Sequence, residues 1–204
     1  MQPDIISVKN FCSKKRCELY LKEFENMQFA TDEESAIILR GQRIKVPRKQ
    51  TSFGEKGTYY KFTGIKLKAR SYDEAPFLRK LQKRVNNFLL EENVVDEEEV
   101  MNFSLVNLYR NGKDYIGYHS DSTEGLRQKK GEVVISSLSF GATRDFYLQN
   151  KSTKEVHKYS LESGELFVMK GLTNMYYKHS VPKRLKVSEP RYNITLRSVI
   201  PLEI

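Results

Sequence analysis

The pattern of apolar and polar positions sets two helical stretches ahead of a run of short strands. From Lys14 to Phe24, Cys17, Leu19, Tyr20 and Leu21 stand among charges, which predicts a short amphipathic helix. Ala36 to Leu39 and Thr58 to Phe62 read as strands, the second with Thr58, Tyr60 and Phe62 on one face. Pro76 marks a helix start, and Phe77, Leu78, Leu81, Val85, Phe88 and Leu89 follow at helical spacing through Leu90. That helix reads as a scaffold covering a sheet. Strands are then expected at Phe103 to Arg110, Val133 to Phe140, Asp145 to Leu148, Leu166 to Met169 and Tyr192 to Val199. Turn signals separate them at Asn111-Gly112, Gly125, Gly131, Gly141, Gly164 and Gly171. Many short strands at close spacing argue for a sandwich or a jelly-roll barrel.

Composition narrows the class. The 204 residues fit one domain, and 39% apolar residues with 12 Tyr and 11 Phe can fill a core, which excludes wholesale disorder. No apolar run is long enough to span a membrane, and MQPDIISVKN has no basic start followed by an apolar stretch. An intracellular protein is expected, nuclear in a eukaryote and cytoplasmic otherwise. Cys12 and Cys17 are expected to be ordinary reduced thiols. The net charge of +9 is concentrated: Arg40 to Arg70 holds ten Lys or Arg against one acid, Glu55. Aromatic residues interleave this block at Phe53, Tyr59, Tyr60 and Phe62, which suits a polyanion with stackable bases. A solvated basic strand edge has the same composition.

Two constellations carry candidate chemistry. His119 and Asp121 are two apart, so on an extended backbone both side chains reach one point, and His179 on a later strand can supply a third ligand. Two imidazoles and a carboxylate on one octahedral face leave three positions open, as in non-haem Fe(II) oxygenases. Taken alone, such a pair is also met as a surface His beside an Asp. The second is RYNITLR. At period two, Arg191, Asn193, Thr195 and Arg197 share one face and Tyr192, Ile194 and Leu196 the other. If the polar face points into a barrel, two buried guanidinium groups require an anion, and a dicarboxylate would suit both. If it points to solvent, the segment is an ordinary edge strand. Asn107 and Tyr109 share a face of an earlier strand and add an amide and a phenol; the same pair also reads as a hydrogen-bonded core Asn and a packed Tyr. His157, flanked by charges, is expected on the surface.

Taken together, N-L-Y, H-x-D, the distal His and R-x-N-x-T-x-R resemble the AlkB family of Fe(II)- and 2-oxoglutarate-dependent dioxygenases. VPRKQ (Val46 to Gln50), Tyr60-x-Phe62-x-Gly64, SFGATRDF (Ser139 to Phe146) and HSVP (His179 to Pro182) are similar to the eukaryotic branch that repairs alkylated duplex DNA. The resemblance covers Ile37 to Val199.

It implies a mostly β (α+β) fold. This is a double-stranded β-helix, or jelly roll, with flanking helices and an N-terminal nucleotide-recognition lid. Residues 1–204 would form one domain, with the lid at about 37–64 and the catalytic core at about 101–200. His119, Asp121 and His179 would bind Fe(II). Arg191, Asn193 and Tyr109 would hold the distal carboxylate of 2-oxoglutarate, and Asn107 and Arg197 the metal-bound end, with Thr195 in the same pocket; O2 is the other cosubstrate. Tyr60 and Phe62 would line the base pocket, the flipped base lying between Phe62 and His119. Arg48 would contact the DNA backbone or a base edge, and Leu39, Arg40 and Gly41 fall at the duplex-probing finger. Arg40 replaces an aromatic wedge there. Ser122 and Thr123 stand where the branch has a pair of acids reading the base. With the N-terminus as short as it stands here, the partner-binding peptide that some family members carry is not expected.

The expected activity is oxidative demethylation of 1-methyladenine and 3-methylcytosine in DNA, releasing formaldehyde and succinate, by a monomer that works off the membrane. Alternatives are demethylation of single-stranded DNA or RNA, and a catalytically inactive nucleic-acid-binding module.

Overall fold

The computed structural model describes residues 1–33, 36–39, 41–55, 58–62 and 65–201, with backbone alone at residues 39, 60–62 and 65–67. In chain order the elements begin with β1 (Ile5–Val8), α1 (Lys14–Glu25), β2 (Ile37–Leu39), β3 (Gln42–Ile44) and β4 (Lys49–Gly54). Next come β5 (Tyr59–Phe62), β6 (Ile65–Lys68), β7 (Arg70–Ser71), α2 (Pro76–Glu91), β8 (Phe103–Tyr109) and β9 (Ile116–His119). The chain ends with β10 (Ile135–Gly141), β11 (Arg144–Asn150), β12 (Val156–Leu161), β13 (Leu166–Met169), α3 (Thr173–Tyr176), β14 (Tyr177–Val181) and β15 (Arg191–Arg197). Both long helices fall where the apolar spacing puts them.

A seven-stranded sheet in the order β1-β13-β10-β15-β8-β4-β7 faces a four-stranded sheet in the order β12-β11-β14-β9, the two halves of a jelly roll. The fold is the mostly β double-stranded β-helix that the sequence implied. Strand parity decides what each face of the large sheet does. Tyr192, Ile194 and Leu196 of β15 point outward, with Val106 of β8 and Leu138 and Phe140 of β10, into a core closed by Phe24 of α1 and Leu78, Leu81, Val85 and Leu89 of α2. Phe24 stacks on Tyr192, centroids 4.9 Å apart. The opposite face looks into the space between the sheets. There Phe103, Leu105, Ile135, Phe167 and Met169 meet Phe146 and Leu148 of β11 and Tyr177 and Val181 of β14.

Two hairpins, β2-β3 and β5-β6, form small sheets of their own. The basic block that builds them is not a uniform exposed strip. Lys45 and Lys49 both pair with Asp32, Arg70 pairs with Glu74, and Arg48 is buried. Local acids and the cavity wall thus take up much of the charge that the sequence alone left facing solvent. His157 also departs from expectation. It lies on β12, half-buried, its ring edge-on to Tyr177 at 5.8 Å, because the strand's alternation turns it inward with Tyr159 and Leu161. Cys12 and Cys17 are free thiols, and both are buried.

Candidate active site

A cavity of about 610 Å³ opens between the two sheets and under the β2-β3 hairpin. Its deep walls are apolar, with Leu105, Ile135, Phe146, Phe167, Met169 and Val181. Polar residues enter it from several strands. β15 supplies Arg191, Asn193, Thr195 and Arg197, so the polar face of RYNITLR points inward and the edge-strand alternative falls. β8 supplies Asn107 and Tyr109, opposite Asn193 and Arg191 in the antiparallel register. β9 and β14 lie side by side with His119 directly opposite His179.

That register builds a three-donor cluster. The two imidazole centroids are 4.2 Å apart, and Asp121 Oδ1 lies 3.6 Å from His119 Nε2 and 3.4 Å from His179 Nε2. All three donor atoms fall within 4.8 Å of one another. His119 Nδ1 is 2.9 Å from the Gly117 carbonyl, which can only accept. Nδ1 therefore carries the proton and Nε2 keeps its lone pair for a ligand. Burial lowers the His179 pKa and favours its neutral, ligating form. Burial alone would raise the Asp121 carboxyl. Arg197, donating through Nη2 to Oδ2, and the two imidazoles overrule it and hold the carboxyl well below the usual range. An imidazole pair and an ionised carboxylate on one face fit a divalent iron.

The anion-binding side is set by Arg191, which is 2% exposed. Its Nη2 donates to Ser139 Oγ at 2.9 Å, while Nε and Nη1 have no hydrogen-bond partner among the described residues. Burial pulls this guanidinium down to about 10, opposed by the Tyr109 phenol. Tyr109 lies between two cations, its ring centroid 5.5 Å from the Cζ of both Arg191 and Arg144. Arg144 is spent on the Asn111, Asp114 and Pro182 carbonyls and fixes the wall behind the phenol. Asn193 is aimed by Ser137 Oγ at 2.6 Å and by the Thr195 hydroxyl at 3.1 Å. A buried, incompletely paired guanidinium beside an amide and a phenol fits the far carboxylate of a dicarboxylic acid.

Substrate-side expectations divide. Ser122 lines the cavity. Arg48 does so too, but from a buried position: its Nε donates to Asn107 Oδ1 at 3.0 Å. Burial lowers its pKa, and the placement suits a base edge better than a phosphate on the outer surface. Gly41 turns the β2-β3 hairpin with φ of +76°. Leu39 pairs with Gln42 at that turn. Tyr60 and Phe62 lie on β5 by backbone, and Arg40 lies outside the described residues.

Two residues of the site escaped the sequence reading. Gln50 donates to the same Asn107 Oδ1, at 2.9 Å, and so fixes which end of that amide faces the cavity. Asn174, on α3, clamps the backbone of Asp121: its Oδ1 accepts from Asp121 N–H at 2.9 Å and its Nδ2 donates to Asp121 C=O at 3.0 Å. An inward-facing position on a strand beside Asn107 could have flagged Gln50, but no local pattern flags a contact across 53 residues.

A jelly roll holding a His-Asp-His cluster at one side of a cavity and an unmatched buried guanidinium at the other has the construction of an iron- and 2-oxoglutarate-dependent oxygenase. The sequence pattern of the 2OG-Fe(II) oxygenase superfamily matches residues 5–197, and the chain belongs to that superfamily and, within it, to the AlkB family. Its cofactors are therefore Fe(II), 2-oxoglutarate and O2. The chain is 32% identical over 197 residues to the DNA oxidative demethylase ALKBH2 of Mus musculus, covering 92% of this chain and 77% of that protein. It is 31% identical to the Bos taurus protein of the same name, covering 90% of this chain and 64% of the relative's length. The Homo sapiens alpha-ketoglutarate-dependent dioxygenase alkB homolog 3 is 38% identical over 62% of this chain and 43% of its own length. The solved structure of OsALKBH1 superposes with a TM-score of 0.58 over 97% of this chain and 99% of that one, at 17% identity, a likeness of fold.

Proposed function

We propose that this protein is an oxidative demethylase that reverses alkylation of bases in DNA. The observation that carries the reading is Arg191, a buried guanidinium with unpartnered donors in the same cavity as the His-Asp-His cluster. The names of the relatives and the basic lid sequence support DNA as the substrate. His119, Asp121 and His179 would hold the iron. Arg191, Asn193 and Tyr109 would take the distal carboxylate of 2-oxoglutarate, and Asn107, Arg197 and Thr195 would orient its other end. When bound, iron with 2-oxoglutarate and O2 supplies the oxidising power that hydroxylates an N-methyl group, which then leaves as formaldehyde. The chain's own residues do the positioning. Arg197 keeps Asp121 ionised and aimed, Gly117 fixes the His119 tautomer, and the apolar walls exclude water from the reacting methyl. A methyl on the pairing edge is reached only after the base leaves the stack, at a cost of a few kcal/mol that a lesion has already reduced.

A DNA substrate places the work in the nucleus of a eukaryotic cell and in the cytoplasm otherwise. The working form would be a monomer. The test is formaldehyde release from oligonucleotides carrying 1-methyladenine or 3-methylcytosine, single- and double-stranded, with and without 2-oxoglutarate. Release should require both the lesion and the cosubstrate, and His119→Ala or Asp121→Ala should abolish it while sparing oligonucleotide binding. Turnover in either variant would overturn the assignment.

A further inference from the structure

The buried guanidinium of Arg191 has a buried carboxylate near it with which it does not pair. Glu165 comes immediately before β13, is 3% exposed, and has the parity of the inward-facing Phe167 and Met169. The backbone around it is bonded to Ser139: Ser139 N–H donates to the Glu165 carbonyl at 3.1 Å, and Gly164 N–H to the Ser139 carbonyl at 2.7 Å. The Ser139 hydroxyl is in turn the acceptor that holds Arg191. After burial and the Tyr109 phenol, two charges act on the Arg191 guanidinium, Arg144 against its protonation and Glu165 in its favour. A carboxylate so placed is an obvious counter-ion for Nε and Nη1, yet both lack a hydrogen-bond partner among the described residues.

The N-terminal segment supplies the reason. Glu165 Oε1 accepts from the Ser7 hydroxyl at 2.8 Å, and Oε2 accepts from the Lys9 ammonium at 2.7 Å and from Glu162 N–H at 2.9 Å. Lys9 also donates to the Ser160 carbonyl of β12 at 3.3 Å and lies 3.3 Å from the Glu162 carboxylate, so it is held from both sheets. Three donors and one full positive charge thus satisfy Glu165, and Arg191 keeps donors free. Without Lys9 the carboxylate would be a resident anion, competing for this guanidinium with the far carboxylate of 2-oxoglutarate. We propose that Lys9 is a positioning residue for cosubstrate binding, which holds and neutralises Glu165 and so keeps Arg191 open to a dicarboxylate. The proposal rests on the demethylase reading, in which Arg191 takes that carboxylate, and adds that the segment at β1 helps to set cosubstrate affinity.

The experiment loads the full chain with Fe(II) under nitrogen and measures by calorimetry the binding of two acids. One is 2-oxoglutarate; the other is 2-oxopentanoate, which has the same chain length and no distal carboxylate. Lys9→Met should weaken 2-oxoglutarate about 10-fold, the effect of one charge across several ångströms of protein interior, and leave 2-oxopentanoate unchanged. Glu165→Gln keeps the side-chain shape and removes the charge. Alone it should tighten 2-oxoglutarate, and in the Lys9→Met background it should restore what Lys9→Met lost. The single Glu165→Gln variant keeps the question answerable if Lys9→Met does not fold. Equal weakening of both acids by Lys9→Met would reduce Lys9 to a tie between the sheets and overturn the proposal. A double variant no better than Lys9→Met, or a Glu165→Gln protein with unchanged 2-oxoglutarate affinity, would overturn it as well. If the unsubstituted protein bound 2-oxopentanoate as tightly as 2-oxoglutarate, the Arg191 assignment that carries the demethylase reading would fall, a result distinct from any effect of Lys9.

Discussion

Arg191 is held by one hydrogen bond, to Ser139, although its guanidinium is 2% exposed. Burying such a group costs several kcal/mol unless an anion meets it, and the dicarboxylate proposed above would be that anion. Lysine keeps the charge and loses the fork. Arg191→Lys should therefore weaken 2-oxoglutarate by about 1.5–3 kcal/mol, roughly 10- to 150-fold in apparent affinity. Titrating the cosubstrate at saturating oligonucleotide checks this, and an unchanged midpoint would remove Arg191 from the binding site. Arg191 was legible in the sequence because period two alone put it on a face with Asn193, Thr195 and Arg197. Arg48 was named through the resemblance, as a contact to the DNA backbone or a base edge, and not through its pattern: in VPRKQ it reads as one of ten cations in a basic block, and the pairing of β4 with β8, which sets Gln50 opposite Asn107, is what shows the segment turned inward.

Strands and helices were legible in proportion to the regularity of their apolar pattern. β13 was found to the residue because Leu166–Met169 is apolar throughout and buried on both faces. β4 was missed because its buried residues include Gln50, Thr51 and Ser52, polar groups satisfied by sheet and cavity rather than by water. The four-residue α3 has no periodicity to read, yet it secures the metal cluster. Lys151, from the turn after β11, donates to the Asn174 and Met175 carbonyls, and Asn174 in turn holds both backbone groups of Asp121. Asn174→Ala removes two hydrogen bonds and leaves the Asp121 amide without its partner. Metal affinity of the protein should fall about 10- to 100-fold, as for other outer contacts of metal ligands, with the unfolding midpoint falling far less. Asn174→Asp retains the acceptor and should recover part of the loss. Co(II) titration followed by its visible absorption reads this without turnover; identical binding curves would show the clamp to be purely structural.

The whole molecule is two cores sharing one sheet. The inner core leaves room for the cavity, and the outer one lies under α1 and α2. The N-terminal segment seals the outer core at Cys12, whose N–H donates to the Gly164 carbonyl at 2.9 Å and whose thiol is 1% exposed. Gly164 has φ of +83°, and a Cβ there would lie 2.3 Å from the Cys12 carbonyl oxygen, so the two segments touch backbone to backbone. Burial pushes the Cys12 thiol from 9.0 up to about 11, Arg84 opposing, and raises Cys17 as well. The folded chain therefore holds these protons more tightly than the unfolded chain does. Their contribution is complete below pH 9 and is lost as pH rises toward 11, because the unfolded thiols ionise first. For Cys12 alone the loss at pH 10 is on the order of 1 kcal/mol relative to neutral pH. The buried phenol of Tyr72, raised by desolvation, adds the same sign at higher pH. Urea unfolding at pH 8, 9 and 10 should show stability falling over this range, and Cys12→Ala should start lower for the lost packing but fall less steeply. Parallel curves for the two proteins would show that the thiol is not held neutral by the fold.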